Sequence, residues 1–313
     1  MLDINILCRW PIEYLQDKLG GIVSKNLIII GGSSGFGKTT LSRIITNSAI
    51  EQDCPVVLYS LEDAPDSFVT DAVRQEYMND TKRFLDLQDF ALEYKAHPQK
   101  FKKYQQSVYQ KHTKIVNGIK VLSIHEQIAH LDWNIDTLKQ TMLKEIELGY
   151  KLFILDHLDM LTTQNEYIDG TRAMEELWAM VAEHDITVIA FSQLQGTRNK
   201  NSLCPSQDDL RGTNRKQYKA TVVITIAKHP YGYYLLPPPE MDAQATYMRV
   251  AKSRAKGTGC AIVYFHRGRY IEFYQEVSCD EEGTTIDGHT KSYFIKWEAQ
   301  QREANETHQR NTK

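Results

Sequence analysis

Several things are scarce in this sequence, and each scarcity excludes something. Cysteine occurs five times in 313 residues, at Cys8, Cys54, Cys204, Cys260 and Cys279. These are far apart, odd in number and without a CxxC pair, so neither a disulfide scaffold nor a zinc site is expected; they read as reduced thiols. No apolar run approaches the roughly 18–20 residues that span a bilayer, so no membrane-spanning helix is expected. Met1–Trp10 lacks a basic stretch followed by a long apolar one, and no secretory signal is expected there. The location expected is cytoplasmic. Net charge is small, −3, which excludes a uniformly basic nucleic-acid coat. Internal repeats are absent too. What remains is ordinary globular composition, with 42% hydrophobic and 25% charged residues.

Short β-branched runs alternate with amphipathic stretches, the pattern of a parallel sheet with crossover helices. Strands are expected at Asn26–Gly32, Val56–Glu62, Ile119–Ile124, Leu152–Leu158, Thr187–Leu194, Thr221–His229, Thr246–Arg254 and Ala261–Arg267. Helices are expected at Lys38–Gln52, Asn134–Leu148 and Gly170–His184. From about Val222 onward strand follows strand, which predicts an antiparallel extension at one sheet edge. The domain reading is a linker element over 1–20, one α/β domain over 21–275 and a polar tail over 276–313.

Gly32-Ser33-Ser34-Gly35-Phe36-Gly37-Lys38-Thr39 fits the pattern G-x-x-x-x-G-K-[ST]. An apolar run, Leu27–Ile30, precedes it and a helical stretch follows, which is the context this phosphate-binding loop requires. Glycines let backbone N–H groups wrap phosphate oxygens, Lys38 reaches the β- and γ-phosphates, and the Thr39 hydroxyl ligates Mg²⁺. The nucleotide-contacting stretch is thus Gly32 through Thr39, extended to Thr40. Asp156 closes an apolar strand and is the expected partner of Thr39 at the metal. Asp159, three residues on, reads as a capping or solvent-facing carboxylate. Glu62 ends the second strand, which in an open parallel sheet faces the same crevice, so it is the expected base for an attacking water. Asp63 reads as a helix cap ahead of Ala64-Pro65. Gln193 ends a further strand, where a neutral amide can bond a γ-phosphate or the water.

Residues 196–219 hold Arg198, Lys200, Arg211, Arg215, Lys216 and Lys219 against Asp208 and Asp209. Such a local excess of positive charge suits sequence-tolerant contact with the phosphates of a single strand. Residues 95–114 hold six lysines and no acid, with Phe101, Tyr104, Val108 and Tyr109 at near-helical spacing. There, lysine stems covering an amphipathic helix are the plainer reading.

Taken in order, these motifs resemble the RecA-like motor domain of DnaB-type replicative helicases, phage ring helicases included. The resemblance covers about residues 15–273. It is carried by LGGIVSKNLIIIGGSSGFGKTTLS, VLYSLED, LFILDHLDML, ITVIAFSQLQ, DDLRGTNRKQYKATVVITI and VAKSRAKGTG. It implies a RecA-like P-loop NTPase core that uses ATP and Mg²⁺ and acts on single-stranded DNA as a homo-oligomer, a hexameric ring, with a loader or primase as a further partner. It also implies that Gln193 couples phosphate to DNA and that Lys252 and Arg254 act in trans on a neighbouring subunit's ATP site. Where the family tends to carry a Gly or Ser run after Asp-Leu-Arg, this chain reads Thr213-Asn214-Arg215-Lys216. Two other readings stay open at this point: a filament-forming recombinase or mediator of the RecA family, and a regulatory or defence ATPase that uses nucleotide as an assembly switch.

Overall fold

The computed structural model describes residues 5–63, 66–81, 83, 85–126, 133–161, 166–195, 205–211, 214–228, 243–254, 257–266 and 269–277. In chain order, β1 (Ile6–Cys8), α1 (Glu13–Leu19) and β2 (Ile22–Val23) come first. Then β3 (Asn26–Gly32), α2 (Lys38–Glu51) and β4 (Val56–Ser60) are followed by α3 (Ser67–Thr81), α4 (Leu87–Ala96) and α5 (Pro98–Thr113). A small hairpin, β5 (Ile115–Val116) and β6 (Ile119–Lys120), leads to β7 (Leu122–Glu126), α6 (Ile135–Glu147) and β8 (Leu152–Asp156). A short 3-10 turn at Leu158–Leu161 precedes α7 (Glu166–His184) and β9 (Thr187–Gln193). The chain continues with α8 (Arg215–Lys219), β10 (Val222–Lys228), β11 (Ala243–Ser253), β12 (Gly259–His266) and β13 (Arg269–Val277).

One nine-stranded sheet organises these elements, in the order β13-β12-β11-β10-β3-β9-β8-β4-β7. From β10 to β7 every neighbouring pair is parallel. From β10 to β13 every pair is antiparallel, as the unbroken run of strands predicts. The central strands are apolar on both faces, because helices cover both. Ile28, Ile30, Val56, Leu58, Ile154, Ile189 and Phe191 share one core with Leu41 and Ile45 of α2. Leu27, Ile29, Val57, Phe153, Leu155 and Val188 share the other with Leu138 of α6 and Met174 and Leu177 of α7.

Three differences from the sequence expectations stand out. β4 ends at Ser60 and β8 at Asp156, so Glu62 lies beyond its strand rather than in it, and a 3-10 turn takes over at Leu158. The 119–124 strand divides into half of a hairpin and β7. Residues 5–20, expected as a linker, pack on this chain's own core: Ile12, Tyr14 and Leu15 are fully buried there. As expected, the polar stretch 82–114 is helical, over α4 and α5, an insert that shares a core of Tyr77, Phe90, Phe101, Tyr104 and Val108 with α3. No helix among the described residues is long and apolar enough to cross a membrane.

Candidate nucleotide site and strand-facing segment

The turn between β3 and α2 is built for close backbone approach. Gly37 caps α2 in the left-handed region, φ 86°, where a side chain would be strained. A Cβ on Gly32 would sit 2.7 Å from Ile226 Cγ1 and 3.0 Å from Lys38 Cγ. Lys38 opens α2, is buried, and donates from Nζ to Gly32 O at 2.9 Å and Ser33 O at 3.2 Å. Burial pulls its ammonium below the usual lysine range, while Glu62, Asp156 and Asp159 pull the other way.

Asp156 sits beside this turn, only 3% exposed. Its Oδ2 accepts from the Ser42 hydroxyl at 2.8 Å, one helical turn beyond Thr39. Its Oδ1 is buried with no hydrogen-bond partner among the described residues. Burial pushes the carboxyl above the usual aspartate range, opposed by hydrogen bonding from Ser42 and Thr39. The Asp156–His157 peptide is cis. His157 is buried, and its Nδ1 lies 3.0 Å from Oε2 of the half-exposed Glu62. Glu62, Asp156 and His157 each offer a ligand atom, all within 4.8 Å of one another. A buried, unpartnered carboxylate oxygen beside a hydroxyl and a second carboxylate suits a hard divalent cation. Ser42 was not anticipated from sequence; its only signal is its place three residues after Thr39 on the same helix face. The residues Asp63 is expected to cap, 64 and 65, lie outside the described residues. Asp63 pairs with Arg43 at 2.7 Å, and Arg43 also reaches Asp71 at 3.4 Å.

Lys38, Thr39, Asp156 and Glu62 therefore converge at the C-terminal ends of neighbouring parallel strands, beside a glycine-rich turn. The sequence matches the DnaB-like helicase C terminal domain family over residues 11–275. This chain belongs to that family. No curated protein matches it in sequence at a significant level. A solved ATPase domain is similar in fold, with TM-score 0.64 and 16% identity over 87% of this chain and 93% of that one. So is the structure of a DnaB-like replicative helicase described with its interactions with primase, with TM-score 0.64 and 17% identity over 86% of this chain and 63% of that one.

In this DnaB-like domain the segment after β9 folds back on the strand end. Arg211 N donates to Gln193 O at 2.9 Å, and Arg211 Nη1 donates to Gln193 Oε1 at 3.0 Å. Of the six basic residues expected to face a strand, Arg198 and Lys200 lie outside the described residues. Arg211 and Arg215 are exposed. Lys219 is half-buried, its Nζ 4.2 Å over the Trp178 ring. Lys216 corrects the expectation: its side chain is 3% exposed and its Nζ lies 2.5 Å from Asp159 Oδ1. Asp159 corrects its own, being buried rather than capping or solvent-facing.

Lys252 and Arg254 lie at the C-terminal end of β11, set back along the strands from the glycine-rich turn. Lys252 pairs with Val223, whose parallel partner is Ile29, and Arg254 N donates to Thr221 O. At about 3.3 Å rise per residue, that is roughly 10–17 Å back along the strands from Gly32. Both side chains turn onto the C-terminal carbonyls of α8. Lys252 donates to Gln217 O and to Tyr218 O, and Arg254 Nη2 donates to Tyr218 O at 2.8 Å. Burial and the nearby Arg254 pull the Lys252 ammonium down.

Proposed function

We propose that this chain is the ATP-driven motor of a replicative helicase, working as a ring on single-stranded DNA, with its domain spanning residues 21–275. The observation that carries the reading is the convergence of Lys38, Thr39, Asp156 and Glu62 beside the glycine-rich turn. Lys38 exchanges the loop carbonyls for oxygens of the β- and γ-phosphates. Mg²⁺, held by Thr39 and Asp156, would neutralise charge on the phosphate oxygens. Glu62 accepts a proton from the water that attacks the γ-phosphorus, as the bond to the departing ADP oxygen breaks.

The neighbouring subunit completes the pocket. In this reading Lys252 and Arg254, set back along the strands from this chain's own turn, serve the site of the next protomer, supplying positive charge as phosphoryl charge develops. Gln193 senses the phosphate and hands its position to Arg211. Arg211, Arg215 and Lys219, together with Arg198 and Lys200, grip the strand backbone. A loader or primase partner belongs to the same reading.

The test is ATP turnover with and without single-stranded DNA, beside a mass measurement of the assembly. Stimulated turnover by an oligomer is expected, and Glu62→Gln should bind ATP yet turn over at least about a hundredfold more slowly. Turnover indifferent to DNA, or an unimpaired Glu62→Gln, would contradict the reading.

A further inference from the structure

A buried lysine is out of place in a segment read as strand-gripping. Burying an ammonium is unfavourable unless it is paired and hydrogen-bonded, and an apolar side chain of similar length would fill the same space. Lys216 meets that condition through one carboxylate. Asp159, in the turn just after β8, lies 2.5 Å from Lys216 Nζ, and Lys216 also donates to Ser192 Oγ at 2.9 Å. The same carboxylate accepts from Gln193 N at 2.6 Å and from Ser192 Oγ at 3.2 Å. Both partners are nearly sealed from water, with side chains 3% and 8% exposed. Short charge-assisted bonds of this kind are stiff and directional.

Three pieces of the molecule meet at this pair. One is the turn three residues beyond Asp156. The second is the end of β9, where Asp159 holds the backbone N–H of Gln193. The third is α8, which carries Lys216 and packs against α7. Arg211 already ties the basic segment to Gln193. Lys216, further along the same segment, ties it to the same residue through Asp159. Any shift of Gln193 then moves both together.

We propose that the buried Asp159–Lys216 ion pair is a positioning element that carries the state of the nucleotide site, sensed at Gln193, to α8 and so to the strand-facing segment. This deepens the function proposed above and rests on it. The pair touches neither nucleotide nor DNA, so its role shows in the coupling between them and not in either binding step.

The experiment uses the full chain and a polythymidine strand. The readout is the ratio of ATP turnover with the strand to turnover without it, which divides out any loss of folded protein. Thermal melting and strand binding by fluorescence anisotropy are followed beside it. The double variant Asp159→Asn/Lys216→Met removes both charges, nearly keeps the volume and leaves an acceptor for Gln193 N. It should melt and bind polythymidine like the wild type, while its stimulation ratio falls to about one. Lys216→Arg keeps the pair and should keep the ratio. Asp159→Asn keeps the shape but loses the charge; its ratio should fall as well, and it carries the test if the double variant does not fold. A wild-type ratio in a folded charge-free variant would reduce the pair to packing and overturn the proposal. No stimulation in the wild type would overturn the functional reading and the coupling with it; stimulation that survives in the charge-free variant overturns the coupling alone.

Discussion

Asp156 shows what the site does to a single residue. Its carboxylate is nearly fully buried, and one oxygen is left without a partner among the described residues. An unsatisfied buried polar atom costs about 1–3 kcal/mol, more when charged. The folded-state pKa is raised, so the ionised form is the disfavoured one in the fold. The associated stability is present below the ordinary aspartate pKa and is lost as pH rises through the folded value. Asp156→Asn removes the charge and keeps the shape. In thermal melts with chelator at pH 7–8, this variant should melt a few degrees higher than the wild type while its ATP turnover is lost. A lower melting point would mean that the carboxylate is satisfied without a cation. Lys216 gives the complementary lesson. In the sequence a lysine of a gripping loop and a lysine of a buried ion pair look alike, and its partner is 57 positions away. No local spacing could have revealed it.

Among elements, the helical insert invites two expectations. α5 turns Phe101, Tyr104 and Val108 into the insert's core, and its lysines meet acids of neighbouring elements: Lys100 with Glu93, Lys103 with Asp80 at 2.7 Å and Lys111 with Glu76 at 2.5 Å. Replacing Lys100, Lys103 and Lys111 by Gln should therefore leave affinity for single-stranded DNA within about twofold, measured by anisotropy, since surface pairs of this kind are worth little. A tenfold loss would make this face a strand contact. His112, at the end of α5, stacks on Phe68 with ring centroids 5.4 Å apart, and burial pushes it down to about 4. Glu76 opposes that shift, and Lys111 and Lys120 add to it. The unfolded chain takes up this proton near pH 6.5 and the folded chain only near 4, so stability should fall across that window by about 3 kcal/mol. His112→Phe should flatten melting temperature against pH there; an unchanged slope would assign the effect elsewhere. The elements with strong periodic patterns were legible: β3 from its apolar run and glycines, α2 from the phosphate-loop pattern, and the antiparallel set from strand following strand without a helix. β1, β2 and the short α8 carry too few residues for a period to show. The ends of β4 and β8 were misjudged because apolar residues continue into turns buried by tertiary packing, as Leu61, Leu158 and Leu161 do.

Over the whole molecule, the sheet separates two sets of functional residues. Lys38, Asp156 and Glu62 gather at the C-terminal ends of the parallel strands. Lys252 and Arg254 sit further back along the strands, resting on α8. In the proposed function the two sets meet across a subunit seam, and so assembly and catalysis belong together in this account. The measurement that tests this most directly mixes two inactive proteins. Glu62→Gln lacks the base but supplies Arg254, and Arg254→Ala lacks the trans arginine but supplies Glu62. Each alone should be nearly inactive. Co-assembled, they form interfaces with Glu62 on one side and Arg254 on the other, and ATP turnover should rise well above the sum of the two. A mixture that stays at that sum, or an Arg254→Ala protein that turns over ATP at the wild-type rate, would contradict it.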